Sequence, residues 1–238
     1  MYRAIHVGLN REVALKTLIG DPAQQRALLP RLQREAQIAS QLFHPGIARV
    51  VDAAWDARAG LFYTVMELVR GPELAALLKQ GNYLPIDQVL DYAGQLAEAL
   101  GVAHAQGVVH RDLKPANIKV LEEPGLPFGR LKILDFGIAR RRDLAPLTHQ
   151  GDLLGTPAYM SPEQAAGAAV DQRTDLYAVG IVLHRMLTGA MPFESTDLAT
   201  AHLDALPQPQ FARGDADLAR EGRSGSPIEL HEIDLPVQ

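Results

Sequence analysis

The chain has 238 residues, of which 47% are apolar and 21% charged, and this balance predicts an ordinary water-soluble globular protein of one or two domains. The net charge of −5 argues against nucleic acid as the main partner. The lack of cysteine excludes disulfides and thiolate metal sites and fits a reducing compartment. No run approaches the roughly 20 apolar residues of a membrane-spanning helix, and the N-terminus has no signal-peptide pattern, so we expect a cytoplasmic protein without a membrane segment.

The start of the chain predicts a small sheet and one long helix. Apolar residues predict strands at residues 2–7 and 13–18 on either side of a turn, and two more at 48–55 and 61–67 joined by a hairpin. Between these two pairs, apolar side chains recur at helical spacing over residues 23–42.

The next part of the chain predicts two helices that precede a polar stretch. Residues 74–79 and 86–106 have helical periodicity, and the second of these segments carries an apolar stripe typical of a core helix. Gly107 ends that helix and leads into residues 108–120.

Residues 108–120 carry polar side chains suited to phosphoryl transfer. The carboxylate of Asp112 can orient an attacking hydroxyl and accept its proton, and the ammonium of Lys114 can neutralise charge on the moving phosphoryl group. The amide oxygen of Asn117 can hold a magnesium ion, and the carboxylate of Asp135 suits the same metal. Their order and spacing favour this interpretation over a surface loop with scattered polar residues.

These motifs resemble those of the protein-kinase family. The form His-Arg-Asp-Leu-Lys-Pro-x-Asn at residues 110–117 resembles its serine/threonine branch, and Asp-Phe-Gly follows at 135–137. The resemblance implies an α+β, two-lobed fold with a small antiparallel β lobe carrying one regulatory helix and a larger, mainly helical lobe. It also implies ATP and Mg²⁺ as cofactors and transfer of the γ-phosphoryl group to Ser or Thr hydroxyls of a protein substrate in bacterial signalling.

The resemblance assigns a role to each candidate site residue. Asp112 and Lys114 become catalytic, and Asn117 and Asp135 become metal ligands. Six positions are assigned to the nucleotide site: Ala14, Lys16, Glu35, Met66, Glu67 and Val69.

The six nucleotide-site positions divide between the phosphates and the adenine. Lys16 is implied to bind the α- and β-phosphates and to pair with Glu35 of the regulatory helix, while Ala14 lies against the adenine. Met66 stands at the gatekeeper position that precedes the hinge. The hinge is implied to offer the adenine the carbonyl of Glu67 and the main-chain groups of Val69.

Residues 138–163 resemble the activation segment of the family. Arg111 is implied to pair with a phosphate on Thr148, and autophosphorylation there would involve self-association of the chain. Thr156 is implied to form hydrogen bonds with the catalytic aspartate and lysine. Asp175 is implied to hold the backbone of the catalytic loop.

We expect three regions: a kinase N-lobe at 1–69, a C-lobe at 70–206, and a disordered tail at 207–238 unrelated to the family. We also expect two family features to be missing, the first strand with its glycine-rich loop and the last helices with the arginine that pairs with Glu163. Three alternatives follow: an active kinase with an incomplete sequence, a non-catalytic nucleotide-binding or scaffold protein, and a truncated product that folds poorly. The intact set of catalytic residues favours the first.

Overall fold

The computed structural model describes residues 1–18, 21–136 and 157–193. The first lobe is a four-stranded antiparallel sheet with the strand order β1-β2-β4-β3 and one helix packed against it. Its elements in chain order are β1 (Tyr2–His6), β2 (Arg11–Thr17), α1 (Pro22–Ser40), β3 (Val50–Asp56) and β4 (Leu61–Glu67).

Helix α1 begins with a cap that the sequence supplies locally. The side chain of Asp21 accepts a hydrogen bond from the Ala23 N–H at 3.2 Å, and Pro22 occupies the first turn, where its missing N–H costs nothing. The apolar face of α1 then buries Leu32 and Ala36 with Phe62 of β4. This packing fixes the helix beside the sheet, so that its orientation depends on tertiary contacts more than on local propensity.

The second lobe is mainly helical and contains one short hairpin. Its elements are α2 (Leu74–Leu77), α3 (Ile86–Ala105), β5 (Ile118–Leu121), β6 (Arg130–Ile133), α4 (Pro162–Ala165) and α5 (Arg173–Thr188). Strands β5 and β6 pair antiparallel immediately after the polar stretch 108–117. The core lies between α3 and α5 and includes Leu96, Leu100 and Val182, which are completely or almost completely buried.

Helix α5 ends at a glycine that no other residue could replace without strain. Gly189 has a φ of 73°, and its N–H donates to the Arg185 carbonyl at 2.9 Å, which satisfies one of the last free carbonyls of the helix. A Cβ at this position would lie 2.0 Å from the Gly81 carbonyl oxygen. The end of α5 is therefore held tightly against the loop that precedes α3.

The α+β, two-lobed architecture implied by the sequence is confirmed. The predicted strands and helices are all present within the described residues, although the helix expected at 74–79 is shorter and ends at Leu77. None of the helices among residues 1–18, 21–136 and 157–193 combines the length and the apolar character needed to cross a membrane.

Candidate active site

The polar stretch 108–117 lies between the end of α3 and the start of β5. Gly107 has a φ of 73° and turns the chain out of the helix, and the Val108 N–H donates back to the Ala103 carbonyl at 2.9 Å. A short turn over Pro115–Asn117 then leads directly into β5. The loop is therefore anchored at both ends by regular structure.

Two candidate catalytic side chains and one candidate metal ligand converge within this loop. The Asp112 carboxylate lies 2.9 Å from the Lys114 ammonium, and it accepts a hydrogen bond from the Asn117 Nδ2 at 3.1 Å. The same amide nitrogen donates to the Asp112 main-chain carbonyl at 2.8 Å. Because the amide nitrogen faces Asp112, the Asn117 amide oxygen is left as the acceptor that could bind a cation.

His110 ties this loop to the segment that carries Asp135. Its Nε2 lies 2.7 Å from the Leu134 carbonyl, and its Nδ1 accepts the Asp112 N–H at 3.2 Å. A carbonyl only accepts, so Nε2 carries the proton and Nδ1 is the acceptor. The ring also meets the Phe136 ring edge-on, with the centroids 4.9 Å apart.

Asp175 on α5 holds the backbone of the same loop, as the family resemblance implied. Its carboxylate is completely buried and accepts the N–H groups of His110 and Arg111 at 2.8 and 2.7 Å. The Nε2 of His104 on α3 lies 2.8 Å from the same carboxylate. One aspartate therefore joins the two core helices to the catalytic loop.

Asp135 faces the small lobe. Its Oδ2 lies 2.8 Å from the Lys16 ammonium of β2, and its φ of 59° is left-handed. The second oxygen, Oδ1, is buried and has no hydrogen-bond partner within the described residues. A buried carboxylate oxygen without a donor is costly, which makes it a candidate metal ligand.

The Lys16–Glu35 pair implied by the resemblance is not the arrangement found. Lys16 pairs with Asp135, and the Glu35 carboxylate pairs with Arg31 at 3.0 Å. Arg31 precedes Glu35 by one helical turn on α1, where opposite charges meet readily, so the glutamate obtains a cation within its own helix. The implied pair is therefore wrong for this conformation.

The donor set at Asp135 fits a magnesium ion. Leu134 N–H donates to the Asn117 carbonyl at 2.8 Å, which brings the Asp135 segment alongside Asn117. Mg²⁺ is commonly held by one or two protein oxygens, with waters and phosphate oxygens completing the shell. The described part of the chain has no cluster of three or more His, Cys, Asp or Glu side chains suited to a metal.

The proposed adenine-binding residues lie together at the end of β4. Ala14 and Met66 are paired across β2 and β4 and are 5% and 2% exposed, within one small cluster that Leu68 also joins. The N–H and the carbonyl of Val69 form no hydrogen bond with the backbone of any other described residue. The Glu67 carboxylate forms an ion pair with Lys132 of β6 and accepts a hydrogen bond from the Arg49 N–H.

Of the three regulatory candidates, only Arg111 lies within the described residues. Its φ is 67°, its carbonyl accepts the Gln164 amide at 2.7 Å, and its Nε is buried without a hydrogen-bond partner in the described structure. Thr148 and Thr156 lie outside the described ranges.

Two residues that hold the candidate catalytic loop, His104 and His110, were assigned no role from the sequence. His110 lies next to the recognised Arg-Asp pair, so its position was a usable signal. His104 lies on a helix that the apolar stripe identified only as core, and its pairing with Asp175 spans 71 residues of sequence. No local pattern could have indicated that contact.

Glu163 on α4 accepts hydrogen bonds from neighbouring groups. Burial alone would raise the pKa of this carboxyl. Hydrogen bonds from the Thr174 hydroxyl, from its own backbone N–H and from Ser161, together with the positive charge of Arg173, outweigh burial, so the pKa lies below its usual range. The Thr174 hydroxyl donates to the carboxylate at 2.7 Å.

We expect Glu163→Gln to lower the free energy of unfolding at pH 7 by about 1 kcal/mol, because an amide accepts these hydrogen bonds more weakly than a carboxylate does. A lowered folded-state pKa contributes stability above the unfolded pKa of about 4.3, and that stability is lost as pH falls through the folded value. Urea unfolding of both proteins from pH 7 down to about pH 3 should therefore show the difference shrinking. A constant difference across that range would contradict this role.

The arrangement that emerges, with phosphate-handling side chains on a helical lobe facing a lysine on a small β lobe, is that of a protein kinase. The chain belongs to the protein kinase domain family, which it matches over residues 1–223. That match extends past residue 206, where we expected the resemblance to stop.

Several known proteins are similar to this chain. The serine/threonine-protein kinase pkn3 of Myxococcus xanthus is 41% identical over 220 residues, which cover 90% of this chain and 40% of the relative. The serine/threonine-protein kinase PknA of Mycobacterium tuberculosis is 36% identical over 212 residues, covering 88% of this chain and 48% of the relative. The chain thus spans less than half the length of both.

A solved structure supports the same fold. The crystal structure of the Mycobacterium tuberculosis PknI kinase domain aligns with a TM-score of 0.63 and 31% identity, covering 81% of this chain and 70% of that chain.

Proposed function

We propose that this protein is a serine/threonine protein kinase that transfers the γ-phosphoryl group of ATP to Ser or Thr hydroxyls of a protein substrate. The observation that carries the proposal is the convergence of Asp112, Lys114 and Asn117 in a loop anchored by Asp175. Family membership and the names of the relatives support the same reaction.

Each residue has a defined task in this reaction. The acceptor hydroxyl gives its proton to Asp112 as its oxygen forms a bond to the γ-phosphorus, and the bond from that phosphorus to the β–γ bridging oxygen breaks to release ADP. Lys114, 2.9 Å from Asp112, stabilises negative charge on the transferring group. Lys16 binds the α- and β-phosphates, which requires it to leave Asp135.

Asn117 and Asp135 would hold the metal. Mg²⁺, when bound, neutralises charge on the β- and γ-phosphates. The Lys16–Asp135 pair joins two groups that ATP and Mg²⁺ would separate, because the lysine then binds phosphate and the aspartate binds the cation. We therefore propose that nucleotide binding exchanges this pair for two separate contacts.

The proposal is tested by assaying the purified chain with radiolabelled ATP and Mg²⁺ against a peptide library with Ser, Thr or Tyr as the acceptor. We expect label on Ser and Thr peptides and none on Tyr peptides. Saturable ATP binding without any transfer would favour the non-catalytic scaffold instead. Label on Tyr alone would overturn the proposed acceptor class.

Asp135→Asn should weaken Mg²⁺-dependent ATP binding by at least about tenfold, since even changes in the outer shell of a metal site typically cost about 10–100-fold in metal affinity. Binding of ATP in the presence of EDTA should change much less, because the phosphates themselves contact Lys16. Isothermal titration at several Mg²⁺ concentrations measures both quantities. An unchanged affinity at saturating Mg²⁺ would remove Asp135 from the metal site.

We further propose that two copies of the chain associate to phosphorylate Thr148 and that Arg111 binds the resulting phosphate. A phosphate adds about −1.5 to −2 charge at pH 7, and the buried Arg111 Nε needs an acceptor. We expect mass spectrometry to find Thr148 modified in an active preparation and Thr148→Ala to lower activity. Arg111→Gln should make activity insensitive to that phosphate. Unmodified Thr148 in a fully active preparation would rule this out.

A further inference from the structure

A cavity of about 500 Å³ lies beside the hinge, lined by residues other than those assigned to catalysis or metal binding. Its walls come from the start of β2, the loop after α1, the start of β3, the end of β4 and strand β6. The floor is apolar, because Leu42 and Ile47 line it and are only 2% and 3% exposed. Two hinge residues, Glu67 and Leu68, also face it.

The carboxylates of this cavity already have cationic partners. Glu12 accepts hydrogen bonds from Arg3 and Arg70, which hold the pKa of its carboxyl below the usual range. Glu67 forms an ion pair with Lys132. Each of the two acids therefore already has at least one cation beside it.

Two arginines at the cavity remain uncompensated. Arg11 and Arg49 line the cavity, and neither forms an ion pair within the described residues. Of the residues that line the cavity, three are basic (Arg11, Arg49 and Lys132) and two are acidic, although the sequence as a whole carries a net charge of −5. This local excess of positive charge favours an anionic ligand.

The rim also presents an aromatic ring to solvent. Phe43 is 76% exposed, and the Arg49 guanidinium lies over its ring at 5.3 Å from the centroid. The ring holds the guanidinium in place without neutralising its charge. Exposed aromatic and arginine side chains around an apolar pocket are typical of the residues that anchor protein–protein contacts.

We propose that this cavity is a docking site for an acidic peptide segment of the protein substrate. An aliphatic side chain of the segment fills the apolar floor, and carboxylates flanking it pair with Arg11 and Arg49. The proposal rests on the protein-kinase function, since it gives the substrate a second attachment away from Asp112. The docking site thereby selects substrates by an acidic segment that lies away from the phosphorylated residue.

Direct binding tests the site without requiring catalysis. The probe is a fluorescein-labelled peptide in which leucines alternate with glutamates, measured by anisotropy with the full chain. We expect saturable binding that the double variant Arg11→Glu/Arg49→Glu weakens by at least about tenfold at low salt. The matched control is Arg26→Glu/Arg58→Glu, which makes the same change in net charge at two exposed positions that do not line the cavity.

Several outcomes would overturn the proposal. The control variant could weaken binding equally, which would indicate general charge attraction. A peptide with glutamates but no leucines could bind as well, which would indicate an electrostatic patch without a pocket. A peptide with lysines in place of glutamates could also bind, or no saturable binding could be found. Thermal unfolding of both variants checks that each is folded during the measurement.

Phosphorylation then separates docking from catalysis. A serine peptide extended by the acidic leucine segment should have a KM about tenfold lower than the serine peptide alone, with kcat unchanged. The Arg11→Glu/Arg49→Glu variant should lose that advantage while keeping its kcat on the short peptide. Binding without any transfer would refute the kinase function and leave only a peptide-binding site at the cavity. Transfer with no KM advantage from the segment would refute substrate docking alone.

Discussion

Asp112→Asn should lower the rate of phosphoryl transfer by about 10²–10⁴-fold while leaving ATP affinity nearly unchanged, because a general base typically contributes that much. An asparagine has the same shape but cannot accept the hydroxyl proton. Its amide would also present N–H groups to Lys114 and Asn117, which donate to the carboxylate at 2.9 and 3.1 Å. The loss should therefore fall on kcat, since Asn117 keeps its hydrogen bond to the main-chain carbonyl of residue 112 and Asp135 is unchanged.

The measurement is steady-state transfer to a serine peptide together with ATP titration of the same preparations. Asp171→Asn is the matched control, because Asp171 is an exposed aspartate paired with Arg173 at the start of α5 and makes the same carboxylate-to-amide change elsewhere. A variant Asp112→Asn that turns over at the wild-type rate would remove Asp112 from its role as base.

Much of the candidate site was predictable because it is local in sequence. Asp112, Lys114 and Asn117 lie within six consecutive residues, so a short loop is enough to bring them together. The strands and helices were likewise indicated by periodicity in short windows. The two-lobed fold was predicted from the family resemblance. Periodicity alone identifies strands and helices but does not say how they pack into two lobes.

The ion pairs were less predictable because they depend on distances that only the folded chain sets. Two of the cations that Glu35 could meet are Arg31 on its own helix and Lys16 on β2. Sequence cannot rank them, because which cation lies within reach depends on how α1 packs against the sheet. The structure pairs Glu35 with Arg31 and gives Lys16 to Asp135.

The cavity beside the hinge could not have been foreseen from the sequence. Its lining comes from separate stretches that include Arg11, Phe43, Glu67 and Lys132. In the sequence, each of these residues looks like an ordinary side chain at the surface or at the end of a strand. The local excess of positive charge exists only where the fold brings Arg11 and Arg49 to one opening.

Asp175→Asn should cause both a loss of stability and a loss of catalysis. The buried carboxylate accepts the His110 and Arg111 N–H groups and meets His104, so its two oxygens serve three neighbours. An amide has one acceptor oxygen and directs its own N–H groups at the remaining donors. Removing one partner from a buried, charged hydrogen-bonding set typically costs about 3–5 kcal/mol, a large part of the stability of a domain.

The activity of Asp175→Asn should fall by more than the unfolded fraction accounts for. The reason is that His110 and Arg111, which directly precede Asp112, lose the carboxylate that holds their N–H groups. Urea unfolding gives the stability, and kcat measured well below the unfolding temperature gives the activity of the folded fraction. We expect that kcat to drop by about 10²-fold, since small misplacements of reacting groups cost about this much. The variant His104→Leu removes one donor and leaves both backbone hydrogen bonds, so its kcat should stay within about threefold of wild type. If Asp175→Asn keeps a normal kcat in its folded fraction, the aspartate only stabilises the lobe. If Asp175→Asn and His104→Leu lose kcat equally, the aspartate acts on the loop through its contact with α3.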